Sequence, residues 1–279
     1  MTTCYRQVLV HLDPTRTMPQ RLAAARRVAS QNDAVVTALY AAMPSLVEFA
    51  YAPDVYPLVT PDLEKIDDER RQVAIDAFED AARDGGPEMH WSEINDAAIA
   101  RAFAQQALYA DLAVLGQPQP QDQNAGAVPA EFVQEVLLLS GKPALVVPYV
   151  KTTESIGETV AVAWKPTPEA ARAVAAALPF LQRARQVHVL TWGEELPEVE
   201  KGHLDLSSYL RVHGVEASVH SGGPEPHSIG EILLSRTFDL GADLLVMGCY
   251  SHSRAREWIL GGATRTVLAS MTVPVLMSH

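Results

Sequence analysis

The chain contains the same succession of segments twice, and this internal repeat is the strongest constraint on its fold. The stretch ADLAVLG at 110–116 returns as ADLLVMG at 242–248, and each is followed by a loop, a helix-forming segment and a short apolar run. Those final runs are KPALVVP at 142–148 and TVPVLMS at 272–278. The repeat indicates two structural copies, and half of 279 residues is close to the commonest domain size.

Within each copy, apolar strands alternate with alanine-rich amphipathic helices. The first copy begins with VLVHLD (8–13) and a helix over 21–31, and the second with TVAVAWK (159–165) and a helix over 168–182. This alternation predicts βαβ units with right-handed crossovers. We therefore expect two tandem α/β domains of Rossmann-like or flavodoxin-like type, each with a five-stranded parallel sheet.

Two connections define the domain boundary and the main difference between the copies. The polar segment KTTESIGE (151–158) is interpreted as a linker, which predicts domains at 1–150 and 151–279. In the first copy, an excursion with several aromatic residues and prolines at 41–61 precedes a charged helix over 62–84. Long connections are only sometimes functional, so this excursion is interpreted as a lid or an interface element rather than a separate binding site.

Composition narrows the classes of function. The formal net charge of −12 argues against nucleic acid or an anionic membrane as the main partner. The apolar runs are too short to span a bilayer, and the first residues lack the pattern of a secretory signal. Two cysteines, Cys4 and Cys249, do not make a disulfide framework. These features predict a cytoplasmic protein.

The strand ADLLVMG leads into a loop with paired glycines, CYSHSRAREWILGGATRTVL at 249–268. Glycine allows a ligand to approach the main chain closely, and a helix that starts near Ala263 adds its positive dipole end. Backbone N–H groups arranged in this way are typical of phosphate sites. His252 and Arg254 add cationic side chains that suit an anion, although a solvated loop would carry the same residues.

Together these elements resemble the tandem universal stress proteins, over essentially the whole chain as two copies. The resemblance rests on the strand ADLLVMG, the glycine-containing loop after it and the final strand VPVLMS. It implies ATP or another adenine nucleotide as the ligand, with Mg²⁺ as a companion for which no carboxylate is clearly placed. It also implies that the last strands of the two copies, ALVVP and VPVLMS, pair into an intramolecular pseudo-dimer. Further association into a homo-oligomer stays open.

The nucleotide motif of that family is only partly present in the second copy. ATP-binding members have a glycine, two residues, a glycine, nine residues, and then a glycine followed by Ser or Thr. Gly248 and Gly261 match the first and last glycines, whereas Ser251 stands at the second and Gly262 at the hydroxyl position. Lys165 replaces an aspartate at the end of the first strand. The residues expected to bind the ligand are Lys165, Gly248, Ser251, His252, Arg254, Gly261, Gly262, Ala263 and Thr264.

The first copy departs from the motif in the opposite way. Asp13 matches the family's acidic position, but Gln119, Pro129 and Ala130 stand where the loop should have its second and third glycines and its hydroxyl. Proline lacks an N–H group and has a fixed φ, so this loop cannot form the same phosphate site. We therefore expect a ligand only in the second copy, with the first copy as its structural partner.

The leading hypothesis is a stress-response protein that binds an adenine nucleotide or a related small anion in its C-terminal domain without strong catalysis. No GxSxG elbow, HExxH helix or complete Walker A run is present, so no catalytic residue is assigned. Two alternatives stay open: an interaction module that recognises an unknown protein partner without nucleotide, and a slow ATPase.

Two further candidates are disfavoured. His213, His220 and His227 recur every seven residues, but this spacing does not place them on one face, so no metal ligand is assigned. Cys249 lies close to a helix N-terminus that could lower its pKa. It is interpreted as a small residue in a tight loop rather than as a redox group.

Overall fold

The computed structural model describes, apart from the side chains of 48 and 56–61, residues 4–48, 56–94, 96, 98–150, 155–193, 204–224, 226–249 and 262–279. The chain forms two compact units, Tyr5–Tyr149 and one that contains Val150–His279, which we call the first and the second unit. In the described ranges, none of the helices combines the length and the apolar character that a membrane span requires.

The first unit is a parallel sheet with helical crossovers. Its strands are β1 (Gln7–Leu12), β2 (Val35–Tyr40), β3 (Met89–Glu93), β4 (Leu112–Gly116) and β5 (Ala144–Val147). Its α-helices in the described residues are α1 (Met18–Asn32), α2 (Ser45–Glu48), α3 (Tyr56–Arg83), α4 (Ile99–Ala107) and α5 (Phe132–Ser140). The strand order is β3-β2-β1-β4-β5, and every neighbouring pair is parallel.

The second unit repeats this topology. Its strands are β6 (Thr159–Trp164), β7 (Gln186–Thr191), β8 (Ser218–Ser221), β9 (Leu244–Gly248) and β10 (Val275–Ser278). Its α-helices in the described residues are α6 (Pro168–Leu181), α7 (Leu206–Val212), α8 (Ile229–Asp239) and α9 (Gly262–Ser270). The strand order β8-β7-β6-β9-β10 matches that of the first unit, again with parallel neighbours. The predicted tandem α/β fold with five parallel strands per copy is confirmed.

The central strands are buried on both faces of each sheet. In β4, consecutive residues Leu112–Leu115 are buried, and the same holds for Leu244–Met247 in β9. Because successive side chains of a strand point to opposite faces, this pattern requires helices on both sides of the sheet. Full burial of a large aliphatic side chain stabilises the fold by about 1.5–3 kcal/mol, so these strands supply much of the core.

The aspartate shared by the two repeated stretches has the same structural role in both units. Asp111 Oδ2 accepts hydrogen bonds from the backbone N–H groups of Arg6 (2.7 Å) and Gln7 (3.0 Å), at the start of β1. The carboxylate of Asp243 accepts from the three backbone N–H groups of 157–159, at 3.0–3.1 Å, at the start of β6. The end of the predicted linker is therefore anchored to the second unit.

The first unit departs from the prediction in the connection after β2. The excursion predicted over 41–61 contains α2 and the start of α3, which begins at Tyr56 rather than near 62. The predicted start of the charged helix is therefore wrong, because the prolines before 62 were taken to precede the helix. Pro57 lies in the first turn of α3, where the missing N–H would have no helical partner. Residues 49–55 lie outside the described ranges.

Candidate functional site

A cleft of about 440 Å³ opens at the carboxyl ends of three strands of the second unit. Its wall includes the end of β6 with Lys165, the end of β7 with Trp192, and Gly248 at the end of β9. This volume lies in the range of small-molecule sites, about 300–1,000 Å³, and the carboxyl edge of a doubly wound parallel sheet is where such folds bind ligands.

Three helices begin at this cleft. Thr167 precedes α6 and lines the cleft, and its hydroxyl oxygen accepts a hydrogen bond from the backbone N–H of Ala170 at 3.3 Å. Ile229, the first residue of α8, and Gly262, the first residue of α9, line it as well. The N-terminal turn of a helix carries backbone N–H groups without helical partners and a partial positive charge. The arrangement favours a bound anion.

Two glycines allow these helices to approach the cleft so closely. A Cβ atom on Gly248 would lie 2.6 Å from the backbone nitrogen of Ala170 and 2.7 Å from the carbonyl carbon of Glu169, in the first turn of α6. A Cβ atom on Gly230, in the first turn of α8, would lie 2.7 Å from Cβ of Thr266 in α9. Both distances are shorter than those that Cβ atoms show in protein structures. A larger residue would therefore push α6 away from β9 at Gly248, or α8 away from α9 at Gly230.

Five of the nine predicted ligand-binding residues line the cleft. Lys165 is exposed at the end of β6, Gly248 ends β9, and Gly262, Ala263 and Thr264 form the first turn of α9. Thr264 is buried. The other four predicted residues lie outside the described part of the chain; they are Ser251, His252, Arg254 and Gly261.

Sequence reasoning missed several residues of the cleft wall. Trp164 and Trp192 contribute aromatic surface, and His227 contributes an imidazole before α8. The glycine pair at 222–223 was the available signal, because a Cβ atom on Gly222 would clash with the indole of Trp192. Glycine thus marks a close approach of a side chain to the main chain here.

Cys249 is a structural residue. Its side chain is buried, its backbone N–H donates to the carbonyl of Ser278 at 3.0 Å, and its own carbonyl lies 3.2 Å from Nδ1 of His279. Burial raises the pKa of its thiol well above the usual range, and Glu169 raises it further. This direction is opposite to the lowering expected from a nearby helix N-terminus, and it agrees with the interpretation of Cys249 as a small residue in a tight loop.

In the first unit, Asp13 is engaged in an internal ion pair. Its Oδ2 lies 2.8 Å from Nη2 of Arg21, and both side chains are buried. Its Oδ1 accepts hydrogen bonds from the backbone N–H and the hydroxyl of Thr15, at 2.9 and 2.5 Å. Burial alone would raise the pKa of Asp13, but Arg21, His11 and Thr15 outweigh it and hold the pKa below its usual value.

The guanidinium of Arg21 lies against the end of β4. A Cβ atom on Gly116 would clash with Nη1 of Arg21, whereas the equivalent Gly248 faces the first turn of a helix. The strand end that borders the cleft in the second unit is therefore covered by an arginine side chain in the first.

The loop after Gly116 is fastened by hydrogen bonds within the first unit. The buried carboxylate of Asp122 accepts from the backbone N–H groups of Arg16 (3.1 Å) and Asn124 (2.9 Å). Nδ2 of Asn124 donates to the carbonyl of Pro14 at 2.8 Å. The loop is therefore held to the segment after β1 by its own polar groups.

The connection between β2 and β3 also contacts this loop. Nε of Arg70, on α3, donates to Oδ1 of Asn124 at 3.3 Å, and Nη1 donates to the hydroxyl of Ser45, on α2, at 2.8 Å. The N–H of Met43 donates to the carbonyl of Ala127 at 2.8 Å. These contacts pack α3 and the start of the excursion against that loop.

Comparisons with known proteins were made in sequence and in structure. No protein-family model matches the chain, and no curated protein matches it in sequence. A solved universal stress protein from Archaeoglobus fulgidus DSM 4304 aligns over 98% of this chain and 97% of its own, with 15% identity and a TM-score of 0.64. A candidate universal stress protein from Pseudomonas aeruginosa UCBPP-PA14 aligns over 98% and 93%, with 14% identity and a TM-score of 0.60.

Sequence identities this low support an inference about the fold alone. Each alignment covers both units of this chain. A protein of unknown function from Pseudomonas aeruginosa PAO1 gives the same result, with 98% of this chain and 92% of its own aligned, 14% identity and a TM-score of 0.57. The expected resemblance is therefore confirmed at the level of architecture: the chain has the fold of the universal stress proteins that carry two α/β copies in tandem.

Proposed function

We propose that this is a stress-response protein whose second unit, within the domain predicted at 151–279, binds an adenine nucleotide or a related small anion without strong catalysis. The observation that carries the proposal is the meeting of three helix N-termini, those of α6, α8 and α9, around one cleft. Each terminus favours an anion by about 0.3–1 kcal/mol at an exposed site and by more in a partly buried one. Phosphate is a natural ligand of such an arrangement.

The residues of the cleft have distinct roles in this proposal. The backbone N–H groups of Gly262 and Ala263 donate to a phosphate, and the hydroxyl of Thr264 lies in the same turn. Lys165 supplies a positive charge at the end of β6. Trp192 offers an aromatic face against which a base can stack.

The titratable side chains among the described lining residues are Lys165 and His227. Among the described lining residues there is no carboxylate, so neither a Glu or Asp base nor a carboxylate ligand for Mg²⁺ is present there. His227 is the imidazole in that lining. ATP hydrolysis by the protein, if measured, should therefore be slow and should depend on His227.

A nucleotide-independent interaction module is the second candidate, and α3 is the observation that favours it. This helix of 28 residues exposes 58% of Val73 and 39% of Ile66 among charged neighbours. An exposed face of this kind suits a protein partner more than a small ligand. The two candidates differ in a simple way, because only the first requires a molecule in the cleft.

The first experiment is to denature freshly purified protein and to identify any released small molecule by chromatography and mass spectrometry. An adenine nucleotide near one per chain would support the proposal. Protein that releases nothing and shows no heat of binding with added ATP would favour the interaction module instead.

Gly262 offers a sharper test because a matched pair of substitutions is available. Among the described residues, none comes within 4 Å of a Cβ atom at this position, and Gly262 is the first residue of α9, where proline is tolerated. Gly262→Ala keeps the backbone N–H, whereas Gly262→Pro removes it. Loss of a hydrogen bond to a charged group costs about 1.5–3 kcal/mol, so Gly262→Pro should weaken ATP binding by roughly 10- to 150-fold in calorimetry. Equal affinities of the two variants would contradict this use of the N–H.

A further inference from the structure

Two histidines from neighbouring strands of the second unit lie side by side. Nδ1 of His188, on β7, is 3.1 Å from Nε2 of His220, on β8, and the ring centroids are 5.2 Å apart. The parallel register aligns His188 with Ser218 and Leu190 with His220. Because Ser218 and His220 are two residues apart in one strand, both histidines belong to the same face of the sheet.

Both rings are accessible to solvent, at least in part. His220 is exposed and His188 is half-buried. Partial burial lowers the pKa of His188, and the neighbouring His220 lowers it further. A neutral imidazole has one nitrogen with a free lone pair, which is the form that binds metal ions.

The separation of the two nitrogens suits a shared ion. With metal–nitrogen bonds of about 2.0–2.1 Å, two nitrogens on one ion are about 2.9 Å apart at a right angle and about 3.4 Å apart in a tetrahedron. The observed 3.1 Å lies between these values. We propose that His188 and His220 bind one divalent transition-metal ion of the class Cu²⁺, Ni²⁺ or Zn²⁺, in place of the hydrogen bond between them.

The exchange of a hydrogen bond for an ion conserves the protons of the pair. In the metal-free pair, one ring donates its N–H to the lone pair of the other. When the ion binds, the donor ring carries its proton on its other nitrogen, so that both facing nitrogens present lone pairs to the metal. Imidazole suits these three ions, and Cu²⁺ should bind more tightly than Ni²⁺ or Zn²⁺.

The proposed site has open coordination positions. In the part of the chain that the structure describes, no group of three or more His, Cys, Asp or Glu side chains could hold a metal ion. Two imidazoles therefore act with water molecules as the remaining ligands, and the ion exchanges readily. Neither histidine lines the cleft, so the metal proposal and the nucleotide proposal can be tested independently.

The seven-residue spacing of His213, His220 and His227 in the sequence does not identify the structural partner of His220. His213 stacks near Tyr209, with ring centroids 4.5 Å apart, and His227 lines the cleft. The partner that the strand register provides is His188, 32 positions earlier in the chain. His213 can therefore serve as the control in the experiment below.

The test is calorimetric titration of the untagged full chain with NiCl₂ and, separately, with CuSO₄. The exposed thiol of Cys4 would bind these ions, so Cys4→Ser is the background. We expect one saturable site per chain, weakened at least about tenfold by His188→Gln and by His220→Gln. His213→Gln should leave the affinity unchanged. No saturable binding, or equal binding in both site variants, would overturn the proposal.

A second measurement uses the unaltered histidines, so it does not depend on how the variants fold. Zn²⁺ is added to ¹⁵N-labelled Cys4→Ser protein, and the imidazole nitrogen resonances are followed by NMR. The proposal expects the resonances of His188 and His220 to shift together with added ion. Shifts that fall on other histidines, or none at all, would refute it.

Discussion

At the scale of single residues, His11 shows how the first unit stabilises a buried polar side chain. The ring stacks on Phe132 with centroids 4.2 Å apart and meets the edge of Phe103 at 5.4 Å. Nε2 lies 2.8 Å from the carbonyl of Ala41, to which the neutral ring donates. Burial lowers the pKa of His11 to about 4, with Arg21 acting in the same direction and Asp13 against it.

This pKa shift predicts a pH dependence of stability. Between pH 6.5 and about 4 the unfolded chain binds the His11 proton and the folded chain does not, so stability falls as the pH falls through this window. From pH 7.5 to pH 5 the contribution is roughly 2 kcal/mol. Urea denaturation followed by circular dichroism should show that the wild type loses roughly 2 kcal/mol more stability than His11→Gln between pH 7.5 and pH 5.

The matched control for that measurement is His90→Gln, which alters an exposed histidine of the same unit. It should lose as much stability as the wild type between the two pH values. If His11→Gln shows the wild-type pH dependence, His11 does not titrate as its burial requires.

At the scale of elements, the contact between the end of β9 and the first turn of α6 shapes the cleft. The close approach depends on Gly248, whose missing side chain leaves room for the backbone of Glu169 and Ala170. A backbone cannot move aside as the end of a flexible side chain can. The corresponding Gly116 meets Arg21, which is a side chain, so the two equivalent glycines are constrained differently.

Gly248→Ala should therefore destabilise the protein by about 1–3 kcal/mol, the usual cost of overpacking. Gly262→Ala, whose new methyl group contacts none of the described residues, should stay within about 0.5 kcal/mol of the wild type. Thermal unfolding of the two variants beside the wild type measures the difference. Equal stabilities would show that α6 can retreat from β9 at little cost.

The helices and strands also show how much of the structure could be predicted from the sequence. Strand and helix order followed from periodicity and from the repeat, because a buried parallel strand leaves a continuous apolar run. The start of α3 could not be predicted in this way, since Pro57 is compatible with both a first helical turn and a loop. The aromatic wall at Trp192 and the covering of β4 by Arg21 depend on tertiary contacts, which local patterns do not encode.

At the scale of the whole molecule, two units of one topology differ in what occupies the carboxyl edge of the sheet. The second unit has a cleft with three helix N-termini, whereas the first has the buried pair of Asp13 and Arg21 and a loop fastened through Asp122. The two units therefore share one architecture but differ in the groups at the carboxyl edges of their sheets.

This asymmetry predicts the stoichiometry of ligand binding. Calorimetric titration with ATP should give one site per chain, because an additional site in the first unit would require separation of Asp13 from Arg21. Breaking a buried ion pair costs about 3–5 kcal/mol, which would weaken binding there by roughly 150-fold or more. A value near two sites of similar affinity would show that the first unit opens.

The two tryptophans of the cleft wall also have an optical consequence. Trp164 and Trp192 belong to a set of only four indoles in the chain, so they account for half of its tryptophan fluorophores. A base stacked on an indole changes the fluorescence emission of that indole. Displacement of water from the cleft changes the emission as well. The protein thus carries its own reporter of occupancy, which can be read in solution without a label on either the chain or the ligand.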